Sequence, residues 1–143
     1  MKKTIYLKAP INIVFKALID IEEQKKWMLN LVDIKFPNGQ EVGKDFLLYI
    51  KEGPKVNEYK GITKAMVENK FLEVYIYNDC FAANTKYSLE ENEQNTVLHY
   101  ENTVELKTTG YKIMWSLVGR FFATLMLKKM LVNLKKLVET KPI

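Results

Sequence analysis

Residues 111 to 140 read YKIMWSLVGRFFATLMLKKMLVNLKKLVET, a proline-free run whose apolar residues recur at helical spacing. In its second half Leu127, Met130, Leu131, Leu134, Leu137 and Val138 form one stripe. Lys128, Lys129, Lys135 and Lys136 fall on the other side in pairs seven apart, so this half is amphipathic. In the first half Met114, Trp115, Leu117, Val118, Phe121, Phe122, Leu125 and Met126 cover most of the circumference. A helix that is apolar all round needs an apolar neighbour on two sides. The segment therefore predicts a long C-terminal helix, opening after Gly110, that closes an apolar interior.

Upstream, the pattern from Leu31 to Leu106 changes to six strand-like runs, at 31–36, 44–51, 56–67, 71–77, 82–90 and 96–106. Turn signals separate them, among them Pro37-Asn38-Gly39, Gly53-Pro54, Glu68-Asn69-Lys70 and Asn78-Asp79. Connections this short imply an antiparallel meander. A seventh strand is expected at residues 2 to 8, stopped by Ala9-Pro10. Two short helices should follow, with Ile11, Val14, Leu18 and Ile21 at helical spacing and a break near Asp20. The expected class is α+β, a seven-stranded antiparallel sheet wrapped around the C-terminal helix. Placing Lys51, Glu58, Lys60, Glu73, Glu101 and Glu105 outward leaves Phe46, Leu48, Ile50, Tyr59, Leu72, Val74, Ile76, Leu98, Tyr100 and Val104 inward.

At 143 residues the chain is long enough to bury a core unaided, and one domain spanning 1–143 is expected. Cys80 is the sole cysteine and His99 the sole histidine, which excludes an internal disulfide and any Cys/His zinc set. A reducing, cytoplasmic setting fits this usage. Lys8 and Pro10 interrupt the apolar stretch after Met1-Lys2-Lys3, so no signal peptide is expected. The most apolar segment, between Lys112 and Lys128, has 15 residues interrupted by Arg120, short of the roughly 20 that a membrane span needs. The net charge of +5 comes from residues 111 to 143, and all but one of the 22 basic residues are lysine. That is poor provision for bidentate phosphate or guanine contacts, and nucleic acid is not an expected partner.

The order strand, paired short helices, six-stranded meander and long helix resembles the helix-grip fold of the START-like or Bet v 1-like (SRPBCC) superfamily. Ala9-Pro10 followed by Val14-Phe15, Leu18, Asp20 and Trp27 is similar to that superfamily's opening. Gly43 before a strand, and the terminal Leu134-Lys135-Lys136-Leu137-Val138-Glu139, resemble its polyketide cyclase/dehydrase-like branch. The branch of activators of Hsp90 ATPase shares the N-terminal motif, but its Gly-Trp near the start of the last helix is absent. The resemblance implies a deep cavity between sheet and helix, used for lipids, sterols, polyketides or other apolar molecules. It implies no single reaction.

His99 would be the natural general base, but parity puts it with Glu101 on the outer face. Cys80 sits in a turn with no basic cluster to activate it. Glu22-Glu23 and Glu90-Glu91 read as solvated charge, and no catalytic, phosphate-binding or metal-binding motif is present. No catalytic residue, cofactor or metal is therefore assigned. The candidate cavity residues are Trp27, Phe46, Trp115, Phe122 and Met126 as apolar wall, with Tyr59, Tyr87, Tyr100 and Asn102 as polar groups that orient a ligand. Binding of a small hydrophobic molecule is the leading expectation. The alternatives are a cyclase/dehydrase-like enzyme and an interaction protein docking through its basic helix, with peripheral membrane contact open to it.

Overall fold

Alternation in KKTIYL forms β1 (Lys2–Leu7), with Ile5 and Leu7 on its inner face. Pro10, at φ −61, precedes α1 (Ile11–Ile19), where its missing N–H leaves no helical bond unmade. Asp20 is extended and both ends α1 and caps α2 (Ile21–Trp27), its carboxylate accepting the Glu22 N–H at 3.0 Å. The computed structural model describes residues 1–114 and 120–141. After α2 come β2 (Leu31–Lys35), β3 (Asp45–Glu52), β4 (Lys55–Val67), β5 (Phe71–Tyr77), β6 (Phe81–Asn92) and β7 (Asn95–Leu106). Two helical segments, α3 (Thr109–Met114) and α4 (Arg120–Glu139), follow. Gly110 thus lies within the first turn of α3 rather than before it, at a helix end where boundaries are softest.

Among the described residues the seven strands form one antiparallel sheet in the order β1-β7-β6-β5-β4-β3-β2. The meander is consecutive from β2 to β7, and β1 returns to pair with β7, placing Lys3 opposite Tyr100 and Ile5 opposite Leu98. Gly53 has φ +64 and opens the two-residue connection between β3 and β4, a backbone state that a side chain disfavours. Strand β4 carries a register shift between Thr63 and Ala65. Thr63 pairs with Val74 and Met66 with Leu72, so the inner face passes from Thr63 to Met66 while Val67 is exposed.

The helices pack at one end of the sheet. Leu127, Leu131, Leu134 and Val138 form the buried stripe of α4, against α1, α2 and β1. They share a core with Leu7, Val14, Phe15, Leu18, Trp27 and Leu98. Polar contacts fix the same half. Lys135 Nζ donates to the Tyr6 carbonyl at 2.9 Å and to Glu139 at 2.8 Å, and Glu139 accepts the Lys8 N–H at 2.9 Å. Lys141 meets the buried Glu23 at 2.7 Å, tying the chain beyond α4 to α2. Before Leu127 the side chains of Leu125 and Met126 are exposed. A second cluster of Ile34, Phe46, Leu48 and Tyr59 lies among β2, β3 and β4. No described helix is long and apolar enough to cross a membrane.

Candidate functional site

Between the two clusters the curved sheet and the helices leave a cavity of about 400 Å³. Its walls follow from the inward parity of the strands. Phe46, Leu48 and Ile50 come from β3, Tyr59, Thr63 and Met66 from β4, and Leu72, Val74 and Ile76 from β5. Strand β6 adds Phe81, Ala83, Thr85 and Tyr87, and β7 adds Tyr100. Leu18, Gln24, Trp27 and Met28 close it from the α1–α2 side, and Met126 and Met130 from α4. Phe46 is held where it is by a missing side chain. It pairs across strands with Gly61, and a Cβ built there would fall on its ring. Phe36 packs tilted against the other side, ring centroids 5.5 Å apart.

The polar groups of the wall are few. Tyr87 and Tyr100 stand opposite each other in the β6–β7 register and meet edge to face at 5.4 Å. Burial pushes the Tyr100 phenol up to about 12, against the opposing pull of a hydrogen bond with Thr85. Burial, with a smaller contribution from Tyr100, also pushes the Tyr87 phenol upward. Both phenols therefore stay neutral at any physiological pH, able to donate and to accept hydrogen bonds. Gln24 donates its amide to the Leu18 carbonyl at 2.7 Å, leaving Oε1 buried without a partner in the cavity wall. Such an orphaned acceptor costs free energy until a donor reaches it. Asn30, Gln40 and Glu52 are the exposed polar residues of the lining. Glu52 accepts from the Tyr59 hydroxyl and, at 3.0 Å, from Asn57.

Solved structures share this architecture along almost the whole chain. Ara h 8.0201 superposes with a TM-score of 0.76 at 15% identity, covering 99% of this chain and 97% of its own. Protein TTHA0849 from Thermus thermophilus also gives 0.76, at 13% identity, with 96% and 95% covered. The fold is the Bet v 1-like helix grip. The di-domain ARO/CYC StfQ of the steffimycin biosynthetic pathway shares it too, with a TM-score of 0.71 at 14% identity. There 97% of this chain matches 44% of StfQ. No family model and no curated protein sequence matches the chain.

Within this helix grip, Trp27, Phe46, Tyr59, Tyr87, Tyr100 and Met126 all line the cavity. Trp27 also has a plain packing role, since it is buried and its Nε1–H donates to the Ala17 carbonyl at 2.8 Å. Trp115 lies outside the described residues, as does the side chain of Phe122. Asn102 does not reach the cavity. Its side chain accepts from Thr85 at 3.2 Å, and it lines an adjoining groove instead. His99 is exposed on the outer face between Thr4, at 3.2 Å, and Glu90, at 3.4 Å. Cys80 sits in the β5–β6 turn, its N–H bound to Asn78 Oδ1 at 2.8 Å. Among the described residues no three His, Cys, Asp or Glu side chains cluster as metal ligands would. Sequence reading missed Gln24, Glu52, Thr63, Met66, Thr85 and Met130 as wall residues. Parity continued two residues past Ile50 would have found Glu52. Met66 is hidden by the β4 register shift, which alternation cannot anticipate.

Proposed function

We propose that the protein binds a small, mainly apolar molecule between the sheet and α4. The observation that carries this is the cavity itself. Its volume falls within the range of roughly 300–1,000 Å³ usual for small-molecule sites, and its lining is aromatic and aliphatic with a handful of polar groups. A well-packed core leaves few voids larger than a water molecule, so packing alone does not account for it. Area buried against Phe46, Leu48, Leu72 and Met130 supplies affinity. Thr85, Tyr100 and the free acceptor of Gln24 supply orientation. The test is native mass spectrometry of freshly purified protein for a retained molecule, together with titration by N-phenyl-1-naphthylamine. Saturable fluorescence enhancement is expected. A folded protein that neither retains a molecule nor takes up the probe would refute the reading.

One observation favours a second, enzymatic reading. Glu52 is an exposed carboxylate of the cavity lining, bridged to the wall by the Tyr59 hydroxyl. A base so placed could remove a proton beside a ligand carbonyl, and the shared fold of ARO/CYC StfQ is compatible with such chemistry. Activity toward a poly-β-ketone that survives Glu52→Gln unchanged would eliminate Glu52 as that base.

A further inference from the structure

A second opening lies where β1, β7 and the N-terminal part of α4 diverge, a groove of about 660 Å³. Tyr100, Met126 and Met130 line both this groove and the cavity. Met126 and Met130 are one helical turn apart, so two flexible thioether side chains and one tyrosine separate the two spaces. The groove differs from the cavity in charge. Lys2 and Lys3 line it, and no aspartate or glutamate is among its described residues. Lys3 stands opposite Tyr100 in the β1–β7 register and so belongs to the inner face of the sheet, whereas Lys2 stands opposite Glu101. Lys3 has no ion pair among the described residues. Asn102 and Thr124 add polar surface beside it.

We infer that this groove receives the anionic head of an amphipathic ligand, an apolar chain ending in a carboxylate or phosphate, with Lys3 as its counter-charge. The chain passes Met126 and Met130 into the cavity. This deepens the binding reading and rests on it. The charge distribution supports it, because an apolar cavity adjoining a cationic groove is complementary to a molecule with one apolar and one negative end.

The test compares cis-parinaric acid with its methyl ester by fluorescence titration at low ionic strength. The acid should bind about fivefold more tightly, the scale of one exposed charge pair in water. In Lys3→Gln that preference should shrink to within about twofold while ester affinity is unchanged, since a surface substitution leaves the cavity intact. Lys128→Gln/Lys129→Gln, which removes two exposed lysines from α4, should keep the preference and so exclude a diffuse effect of net charge. Displacement of the bound acid by laurate against dodecyl phosphate identifies which head the groove prefers. Equal binding of acid and ester by the native protein, or a preference that outlives Lys3→Gln, would overturn the headgroup site and leave the cavity reading standing. Failure of both probes to bind would overturn the two together.

Discussion

Gly61→Ala tests whether the space beside Phe46 is cavity or core. The new Cβ would lie 2.9 Å from Phe46 Cε1 and closer still to Cζ and Cε2, so the ring has to move by about an ångström or more to reach ordinary contact near 3.5–4.0 Å. Gly61 lies mid-strand and its φ is not in the left-handed region, so alanine brings no backbone strain. It stabilises instead by about 0.4–1 kcal/mol through the unfolded chain. Against this stands the displaced ring. In a filled core overpacking costs about 1–3 kcal/mol. Here the ring can turn into a cavity of about 400 Å³, losing chiefly its tilted contact with Phe36, worth about 0.5–1.5 kcal/mol.

The expected net change is therefore a loss of about 1 kcal/mol or less, paired with a fall in N-phenyl-1-naphthylamine affinity of about tenfold as the ring takes up ligand space. Urea denaturation and probe titration measure the two quantities on the same sample. The cycle with Phe46→Ala isolates the cause, because removing the ring should abolish the destabilising part of Gly61→Ala and leave the gain of about 0.4–1 kcal/mol. A destabilisation near 3 kcal/mol with unchanged probe binding, or one that persists in the Phe46→Ala background, would refute the geometry.

Leu134→Ala, at a fully buried position outside the cavity wall, should cost about 2–5 kcal/mol in denaturant melts and leave probe affinity within about threefold. Because burial raises the Tyr100 and Tyr87 phenols above their unfolded value near 10, the unfolded chain releases their protons first. Their contribution is complete below pH 10 and is lost as pH rises toward the folded value, about 12 for Tyr100. Urea melts at increasing alkaline pH should thus show a shallower decline for Tyr87→Phe/Tyr100→Phe than for the native protein, and equal slopes would contradict the assignment. The Glu139 carboxyl is held below its ordinary value by Lys135 first and then by the Lys8 N–H, so its stabilisation is present at neutral pH and fades as pH falls through the lowered value. Glu139→Gln should cost about 1 kcal/mol or less at pH 7, and its melting temperature should converge with the native one in acid.

Most of the architecture is legible in the sequence because strand parity and turn chemistry are local. The Gly53-Pro54 connection, the break at Asp20 and the inner set from Phe46 to Tyr100 each follow from residues a few positions apart. The site is less legible, because a cavity is a property of what fails to meet across the fold. Trp27 reads first as core and then as candidate wall, and it is both. Asn102 lies beside the wall residue Thr85 but lines the neighbouring groove, and the inward turn of Met66 depends on one extra residue in β4. The orphaned oxygen of Gln24 accompanies an amide nitrogen turned to the Leu18 carbonyl, a contact six residues back that no periodicity signals.

The distribution of contacts along α4 bears on how binding and stability are separated. Its buried leucines and Val138, the Lys135–Glu139–Lys8 contacts and the Lys141–Glu23 pair all lie from Leu127 onward. Before Leu127 the described side chains of Leu125 and Met126 are exposed, and Met126 faces both cavity and groove. In the proposed binding mode a ligand that enters past Met126 and Met130 meets exposed or half-buried side chains of α4 and leaves the core around Leu134, Val138 and Leu7 in place.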